Sequence, residues 1–362
     1  MKKGAEMAKN SSVRKKLAEK GVTLSAKVYF IDAMSSMAMG LFASLLISTI
    51  FSTLAVWTKL EFFSEVSGFC QSVTGAALGV SVAYALKAPP LVLFSAAAVG
   101  YAGNGLGWTF LLAGEEKALT AGPAGAFVAV LIATELGKLV SKSTKADILV
   151  TPVVTILSGT LVAKLTCPVI AFAMYELGSF INIATQMHPF VMGIIVSVVV
   201  GIVLTLPISS AALCAMIGIS GLAGGAAVAG CCAQMIGFAV ISFRENSWGG
   251  LVAQGLGTSM LQMGNICKKP AIWIAPTLAA AVTGPVATMV FKLECVGVSA
   301  GMGTCGLVGP LGVISAMDTS SGMMWLGLLL VCFVLPAVLA FIFNELLRKI
   351  GLVKDGDMKL NL

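Results

Sequence analysis

Charged residues are scarce in this chain of 362 residues. Lys, Arg, Asp and Glu make up 11% of it, against roughly a quarter in soluble domains, whereas hydrophobic residues make up 58%. Ten-residue segments of alternating hydrophobicity, which mark outer-membrane barrels, are also missing. The composition therefore excludes a soluble domain. Repeated apolar runs near the roughly 20 residues that a spanning helix needs predict an all-α, polytopic membrane helical bundle.

Catalytic and metal-binding signatures are missing as well. The sequence has no GxxxxGK[ST] phosphate loop, no paired-carboxylate motif and a single histidine, so catalysis within this chain is not expected. Its nine cysteines lie mostly inside apolar runs and lack metal-ligand or CxxC spacing. We interpret them as small apolar packing residues, and we predict neither a metal site nor a cofactor.

Positive charge is concentrated at the N-terminus. Residues 1–29 contain eight basic and two acidic side chains, which leaves +6 of the net charge of +7. A basic segment before the first span predicts a cytoplasmic N-terminus, with residues 1–28 as a basic arm on the inner membrane surface. Nucleic-acid binding is the rival interpretation and is not expected. The first apolar run is too long and too distant from the start for a cleavable signal.

Ten membrane spans are predicted, with both termini in the cytoplasm and a tail at residues 347–362. The basic loops after the fourth, eighth and tenth spans all fall on the cytoplasmic side in this arrangement, so the chain is expected in a plasma membrane. The spans are 29–57, 66–86, 91–103, 122–140, 148–172, 190–210, 212–241, 247–264, 271–291 and 322–346. The fifth contains Pro152 and Lys164, so it is expected either to be broken or to lie partly at the membrane interface, and an external segment around 173–187 is expected to follow it.

An offset of 150 residues pairs two blocks of the chain. It places Gly-Ala-Ala at 75–77 on 225–227 and Gly-Leu-Gly at 105–107 on 255–257, although 40 glycines also allow chance matches. Two repeats, residues 29–172 and 173–346, would have five spans each and therefore opposite orientations. Inverted repeats with paired interrupted helices are a recurrent transporter plan, and on this basis helix breaks are predicted at 103–108 and 253–258.

Polar groups within the apolar stretch from Trp248 to Pro276 are the leading candidates for solute contact. Non-helical backbone is tolerated at membrane depth only where protein or a water-filled cavity satisfies it. Amides offer both donors and acceptors, as sugar hydroxyls require, although interhelical hydrogen bonding explains them equally well. These amides are Gln254, Gln262 and Asn265, together with Asn104, which the offset pairs with Gln254.

Two ionisable side chains complete the candidate site. His188 could contact the solute or a proton, or it could simply begin a helix before Pro189. Glu294 borders a glycine-rich, poorly helical segment, 297–318, which is predicted to be re-entrant. Glu135, by contrast, lies three residues before Lys138, and a local ion pair is expected there.

The second half of the chain also resembles a known family. The run GLGTSMLQMGNICKKPAIWIAPTLAAAVTGPVATMVFKLE, followed by GVSAGMGTCGLVGPLG, is similar to the EIIC-like membrane proteins of the phosphotransferase system, in the branch labelled perfringolysin O regulator-like. The resemblance implies a homodimeric membrane component that moves a sugar while separate EIIA and EIIB proteins handle phosphate. It also implies a glutamate and a histidine at the sugar, for which Glu294 and His188 are the nearest candidates.

Three functions follow as hypotheses. The first is an EIIC-type permease that moves a small polar solute by alternating access. The resemblance implies that this solute is a sugar. The second is a membrane sensor or regulator of the same fold that binds a ligand without transport. The third is an ion- or proton-coupled carrier for an organic anion, with His188 or a carboxylate as the coupling group.

Overall fold

The computed structural model describes residues 20–22, 25–112 and 115–360. Nearly all of these form helices, and the described strands pair into one two-stranded sheet. In chain order the elements are α1 (Val28–Thr58), α2 (Glu61–Ser72), α3 (Thr74–Ala85), α4 (Pro90–Gly105), β1 (Gly107–Leu112), β2 (Glu115–Thr120), α5 (Gly122–Val140), α6 (Asp147–Thr185), α7 (Pro189–Thr205), α8 (Ser210–Met216), α9 (Gly221–Ile241), α10 (Phe243–Val252), α11 (Met263–Lys268), α12 (Pro270–Val290), α13 (Gly297–Ala300), α14 (Val308–Ala316) and α15 (Gly322–Lys349).

Six of these helices, namely α1, α5, α6, α9, α12 and α15, are long and apolar enough to cross a membrane. The bent pair α2 and α3, with a 47° angle between them, would make a seventh span. The helices α4 and α7 have 16 and 17 residues, and the predicted span 247–264 is divided among several short elements. The all-α membrane class is confirmed, whereas the count of ten spans and the inverted repeat stay predictions.

The chain divides into two compact units. Unit 1 contains the described residues up to Gly40, Val73–Trp108 and Thr120–Ile170, and unit 2 contains Leu41–Ser72, Thr109–Leu119 and the described residues from Ala171 onward. The boundary near residue 170 lies close to the predicted repeat boundary at 172/173, but unit 2 also takes residues 41–72 from the first half. Most residues of the predicted basic arm lie outside the described residues.

Unit 1 is held together by close packing of small residues. The backbones of α3 and α4 touch at Gly79 and Gly100, and α4 approaches α5 at Gly103. Ser36 of α1 donates a hydrogen bond from Oγ to the Ser81 carbonyl oxygen at 2.6 Å. Hydroxyl-to-carbonyl bonds of this kind stabilise helix contacts where no water competes for the donor.

The expected ion pair of α5 is confirmed in unit 1. Lys138 Nζ lies 3.2 Å from Glu135 Oε1, and the two side chains are 2% and 13% exposed. Lys138 Nζ also donates to the Gly21 carbonyl oxygen at 3.3 Å, which fixes the chain before α1 to the end of α5.

The expected break in the fifth span is wrong. The structure has one continuous helix, α6, of 39 residues, which includes Pro152 and Pro168 and extends through most of the predicted external segment 173–187. A proline removes one backbone donor and need not end a helix whose other hydrogen bonds survive. Lys164 lies on the exposed side of α6, so its charge imposes no interruption.

Cysteine behaves as a packing residue, as predicted. The nine cysteines, all within the described residues, form no disulfide there, and seven of them are buried. Six of the buried thiols belong to the core of unit 2 around α9, where small side chains allow close helix contact.

Candidate functional site

The central helix of unit 2 is α9, the most buried of the six candidate spans, with 89% of its spanning window enclosed by protein. A Cβ at Gly225 would overlap the carbonyl oxygen of Leu293, and one at Gly230 would overlap that of Ser197. Small residues on α9 therefore let neighbouring backbones touch it directly. Two of those neighbours are interrupted segments.

The first interruption, residues 253–259, follows α10. Its π-turn, Ala253–Gly257, ends at Thr258, which is extended with φ −157° and ψ 139°. Thr258 Oγ1 then accepts a hydrogen bond from the Met260 N–H at 3.1 Å and begins a 3₁₀ turn. The helix break predicted at 253–258 is therefore present, as is the one at 103–108, where α4 gives way to β1.

The second interruption, residues 292–307, lies between α12 and α14. It begins as an extended run across the start of α9, where the Cys295 N–H donates to the Gly221 carbonyl oxygen at 3.3 Å. The Gly297 N–H donates to the Ile219 carbonyl oxygen at 2.9 Å. These bonds replace the helical bonds that the run cannot make for itself.

The inner part of the second interruption, residues 301–307, is irregular because Gly306 adopts a positive φ of 51°. Hydroxyl groups from neighbouring helices satisfy its carbonyl oxygens. Ser210 Oγ donates to the Gly301 oxygen at 2.6 Å, and Thr53 Oγ1 donates to the Gly306 oxygen at 2.7 Å. Non-helical backbone is thus enclosed by protein, as membrane depth requires.

The two interruptions meet beside the middle of α9. Thr304 Oγ1 donates to the Gly255 carbonyl oxygen, and Gly303 packs against Cys231 and Cys232 of α9. The segments reach this point from opposite ends of α9, which has 21 residues and is therefore about 30 Å long. Polar backbone groups are consequently concentrated near half the length of a membrane-spanning helix.

The three amides of the 248–276 stretch form a hydrogen-bonded chain. Gln262 Nε2 donates to Gln254 Oε1 at 2.9 Å, and Asn265 Nδ2 donates to Gln262 Oε1 at 2.9 Å. The remaining donors of Gln262 and Asn265 reach the carbonyl oxygens of Met358 and Lys359, each at 3.0 Å. In this conformation the amides bind protein, and their contact with a solute stays a prediction.

His188 and Glu294 have exposed side chains in unit 2. His188 precedes α7 and accepts the Phe190 N–H at Nδ1 at 3.3 Å, which is the helix-start role. Glu294 lies on the extended run of the second interruption, and its N–H faces the Met317 sulfur at 3.3 Å. The carboxylate is thus carried on non-helical backbone.

The predicted site residues of unit 2 form two groups at opposite ends of α9. The helix α7 runs parallel to α9, because Ser197 packs against Gly230 and Thr205 Oγ1 donates to Gln234 Oε1 at 3.4 Å. The histidine and the carboxylate therefore lie towards the start of α9. The amides lie towards its end, roughly 25 Å away along the helix.

Asn104 belongs to unit 1. It is half-buried near the end of α4, and a Cβ at Gly75 would lie 2.9 Å from the Asn104 Cβ atom. The correspondence with Gln254 depends on the inverted repeat and stays a prediction.

A second buried polar cluster was not foreseen from the sequence. Gln234 Oε1 accepts from Trp273 Nε1 at 3.0 Å, and Gln234 Nε2 donates to Thr277 Oγ1 at 3.2 Å. The hydroxyls of Thr205 and Ser259 lie 2.8 Å apart beside it. The available signal was that Gln234 is the only amide residue in its predicted span.

Comparison with known proteins adds the family. A family model described as Phosphotransferase system, EIIC matches residues 31–360. The chain belongs to this family. EIIC proteins are membrane transport components for sugar uptake, and phosphoryl transfer belongs to other subunits. The regulator-like branch stays a prediction. No curated protein and no solved structure matches the chain.

Proposed function

We propose that the chain is an EIIC-type permease that moves a small polar solute, most simply a sugar, by alternating access. The observation that carries the proposal is the meeting of two interrupted segments beside the middle of α9, through Thr304 and the Gly255 carbonyl oxygen. Discontinuous helices near the midplane supply backbone donors and acceptors without a charged side chain. A neutral polyhydroxyl solute needs such groups.

The residues proposed for solute contact are those predicted from the sequence. Glu294 is the strongest of them, because its exposed carboxylate lies on extended backbone beside the buried start of α9. His188 lies towards the same end of unit 2. The amides Gln262 and Asn265 are available to a solute only after the C-terminal segment releases them, whereas Gln254 is bonded to Ser242, Gly250 and Gln262.

Uptake of labelled sugars into proteoliposomes tests the proposal. The chain should accumulate at least one sugar, as its phosphate, when the vesicles contain separate EIIA and EIIB proteins and a donor that phosphorylates EIIA. Glu294→Gln should reduce this uptake about tenfold, because the hydrogen bond from a sugar hydroxyl then goes to a neutral acceptor and not to a charged one. Glu176→Gln, an exposed carboxylate of α6, is the matched control and should leave uptake unchanged. A broad sugar panel without any uptake would contradict the proposal.

The seated C-terminal segment favours one alternative, a ligand-binding sensor of the same fold. A solute that binds Gln262 and Asn265 would displace this segment, so ligand binding would be coupled to release of the segment. Saturable sugar binding to the detergent-solubilised chain, together with no uptake, would select the sensor. The homodimer is a separate prediction, which native mass spectrometry from membranes would test.

A further inference from the structure

The C-terminal segment, residues 353–360, is recognised through its backbone. The Met358 N–H donates to Glu245 Oε2 at 2.8 Å, and the Met358 carbonyl oxygen accepts from Asn246 Nδ2 at 2.8 Å. Asn246 Oδ1 in turn accepts the Leu360 N–H at 2.7 Å. A single asparagine amide thus engages a donor and an acceptor two residues apart, as a neighbouring strand would.

Two amides that follow the first interruption continue this recognition. Gln262 supplies a second donor to the Met358 carbonyl oxygen, and Asn265 supplies one to the Lys359 carbonyl oxygen. The Met358 side chain is fully buried, whereas Lys359 is exposed. Backbone hydrogen bonds therefore provide the attachment, and burial of the Met358 side chain provides the selectivity for sequence.

The local backbone is built to hold Asn246 in place. Ser247, within α10, adopts φ 52° and ψ −155°, a conformation that is costly for any residue other than glycine. A Cβ at Gly250 would overlap the Cβ of Asn246. Glu245 is fixed by Arg348, whose Nη2 atom lies 3.0 Å from Glu245 Oε1. The strained backbone at Ser247, the close contact at Gly250 and the ion pair with Arg348 all hold Glu245 and Asn246 in place.

We propose that Glu245, Asn246, Gln262 and Asn265 form a binding site for an extended peptide, which the chain's own C-terminal segment occupies as a releasable latch. The occupant is held by hydrogen bonds to side chains, by an ion pair between Asp355 and Arg348, and by the buried side chains of Val353 and Met358, so it can leave without unfolding a helix. One consequence rests on the proposed function: a solute reaches Gln262 and Asn265 only after the latch has left.

Hydrogen exchange of the full chain in nanodiscs is the first test. Exchange in the peptide 353–362 should be slow in the wild type, because the Met358 and Leu360 N–H groups are bonded to side chains. Asn246→Leu removes the acceptor of the Leu360 N–H and the donor to the Met358 carbonyl oxygen, and it should accelerate exchange roughly tenfold. Asn182→Leu, on the exposed side of α6, is the matched control and should change nothing. Unchanged exchange in Asn246→Leu would overturn the latch.

Peptide binding is the second test. The full-length Met358→Asp chain has a charge where the wild type buries an apolar side chain, so its own segment should leave the site. A fluorescent synthetic peptide of residues 353–362 should then bind this variant saturably. It should not bind the wild type, whose site is occupied. The same peptide with Met358→Asp should bind neither chain.

The outcomes separate this inference from the proposed function. A well-folded Met358→Asp chain that ignores the wild-type peptide, or binds both peptides equally, would refute the peptide site. If that variant does not fold, the exchange experiment on Asn246→Leu decides. A failure of sugar uptake would instead refute the permease and leave the peptide site standing.

Discussion

At Gly225 a single added methyl group would collide with backbone. The glycine lies on α9 against the Leu293 carbonyl oxygen, next to the run that carries Glu294. Gly225→Ala should therefore displace that run, at a cost of about 1–3 kcal/mol as for other overpacked sites, and should lower uptake. Gly68→Ala is the matched control, because a Cβ there meets no atom within 4 Å and alanine favours the helix. Thermal unfolding in detergent and uptake assays on both variants would check this, and equal effects would contradict it.

The Thr304 hydroxyl tests the contact between the interruptions. Thr304→Val keeps the shape of the side chain and leaves the buried Gly255 carbonyl oxygen without this donor. We expect a loss of about 1–3 kcal/mol in the free energy of unfolding and a larger fall in uptake than in expression. Thr185→Val, where the hydroxyl bonds only within α6, should have little effect. Wild-type stability and uptake in Thr304→Val would show that this bond does not hold the segments together.

At the scale of elements, the end of α5 depends on its buried ion pair. Lys138→Met leaves the Glu135 carboxylate uncompensated and removes the donor to Gly21, so we expect a loss of about 3–5 kcal/mol. Adding Glu135→Gln should recover much of that loss, because no unpaired buried charge then remains. Chemical unfolding in mixed micelles would measure both. The exposed Lys145→Ala is the control, and a single variant as stable as the double one would contradict the expectation.

Helix interruptions followed glycine clusters more closely than prolines. Breaks at 103–108 and 253–258 were predictable because several glycines lie together, whereas Pro152 left α6 intact. The stability of a break depends on hydroxyl donors that are far away in the sequence. Thr53, for example, lies 253 residues from its partner Gly306. No local pattern reveals such a pairing.

The amides illustrate the same limit. Their polar character was visible in the sequence, but the Asn265 partner lies 94 residues away in the C-terminal segment. Sequence reasoning therefore identified the chemically unusual side chains and left their partners open. Patterns in a single sequence predict where a helix is interrupted more readily than they predict which groups satisfy the interrupted backbone.

At the scale of the whole molecule, composition alone predicted the membrane class, because a chain with 11% charged residues cannot cover itself with water-facing surface. The family followed from a continuous block in the second half and is confirmed over residues 31–360. Orientation rests only on the distribution of lysine and arginine, which a fold without a bilayer does not test.

Cys267 offers a direct test of that orientation. Among the cysteines, all of which lie in the described residues, Cys267 alone is exposed. It precedes Lys268 and Lys269, which the positive-inside tendency places in the cytoplasm. A membrane-impermeant maleimide should therefore label inside-out vesicles and spare right-side-out vesicles, and Cys267→Ser should abolish the signal. Labelling from the outside that Cys267→Ser removes would invert the predicted topology.

The pH of the reaction supplies an internal check on the same thiol. Partial burial raises the pKa of Cys267 above its ordinary value, so the reactive thiolate is a small fraction at neutral pH. Labelling should accelerate about tenfold for each pH unit while the pH stays below that pKa, since the thiolate fraction rises in that proportion. A rate that is already constant near pH 7 would mean that the thiol is ionised and that its surroundings in the membrane differ from those in this fold.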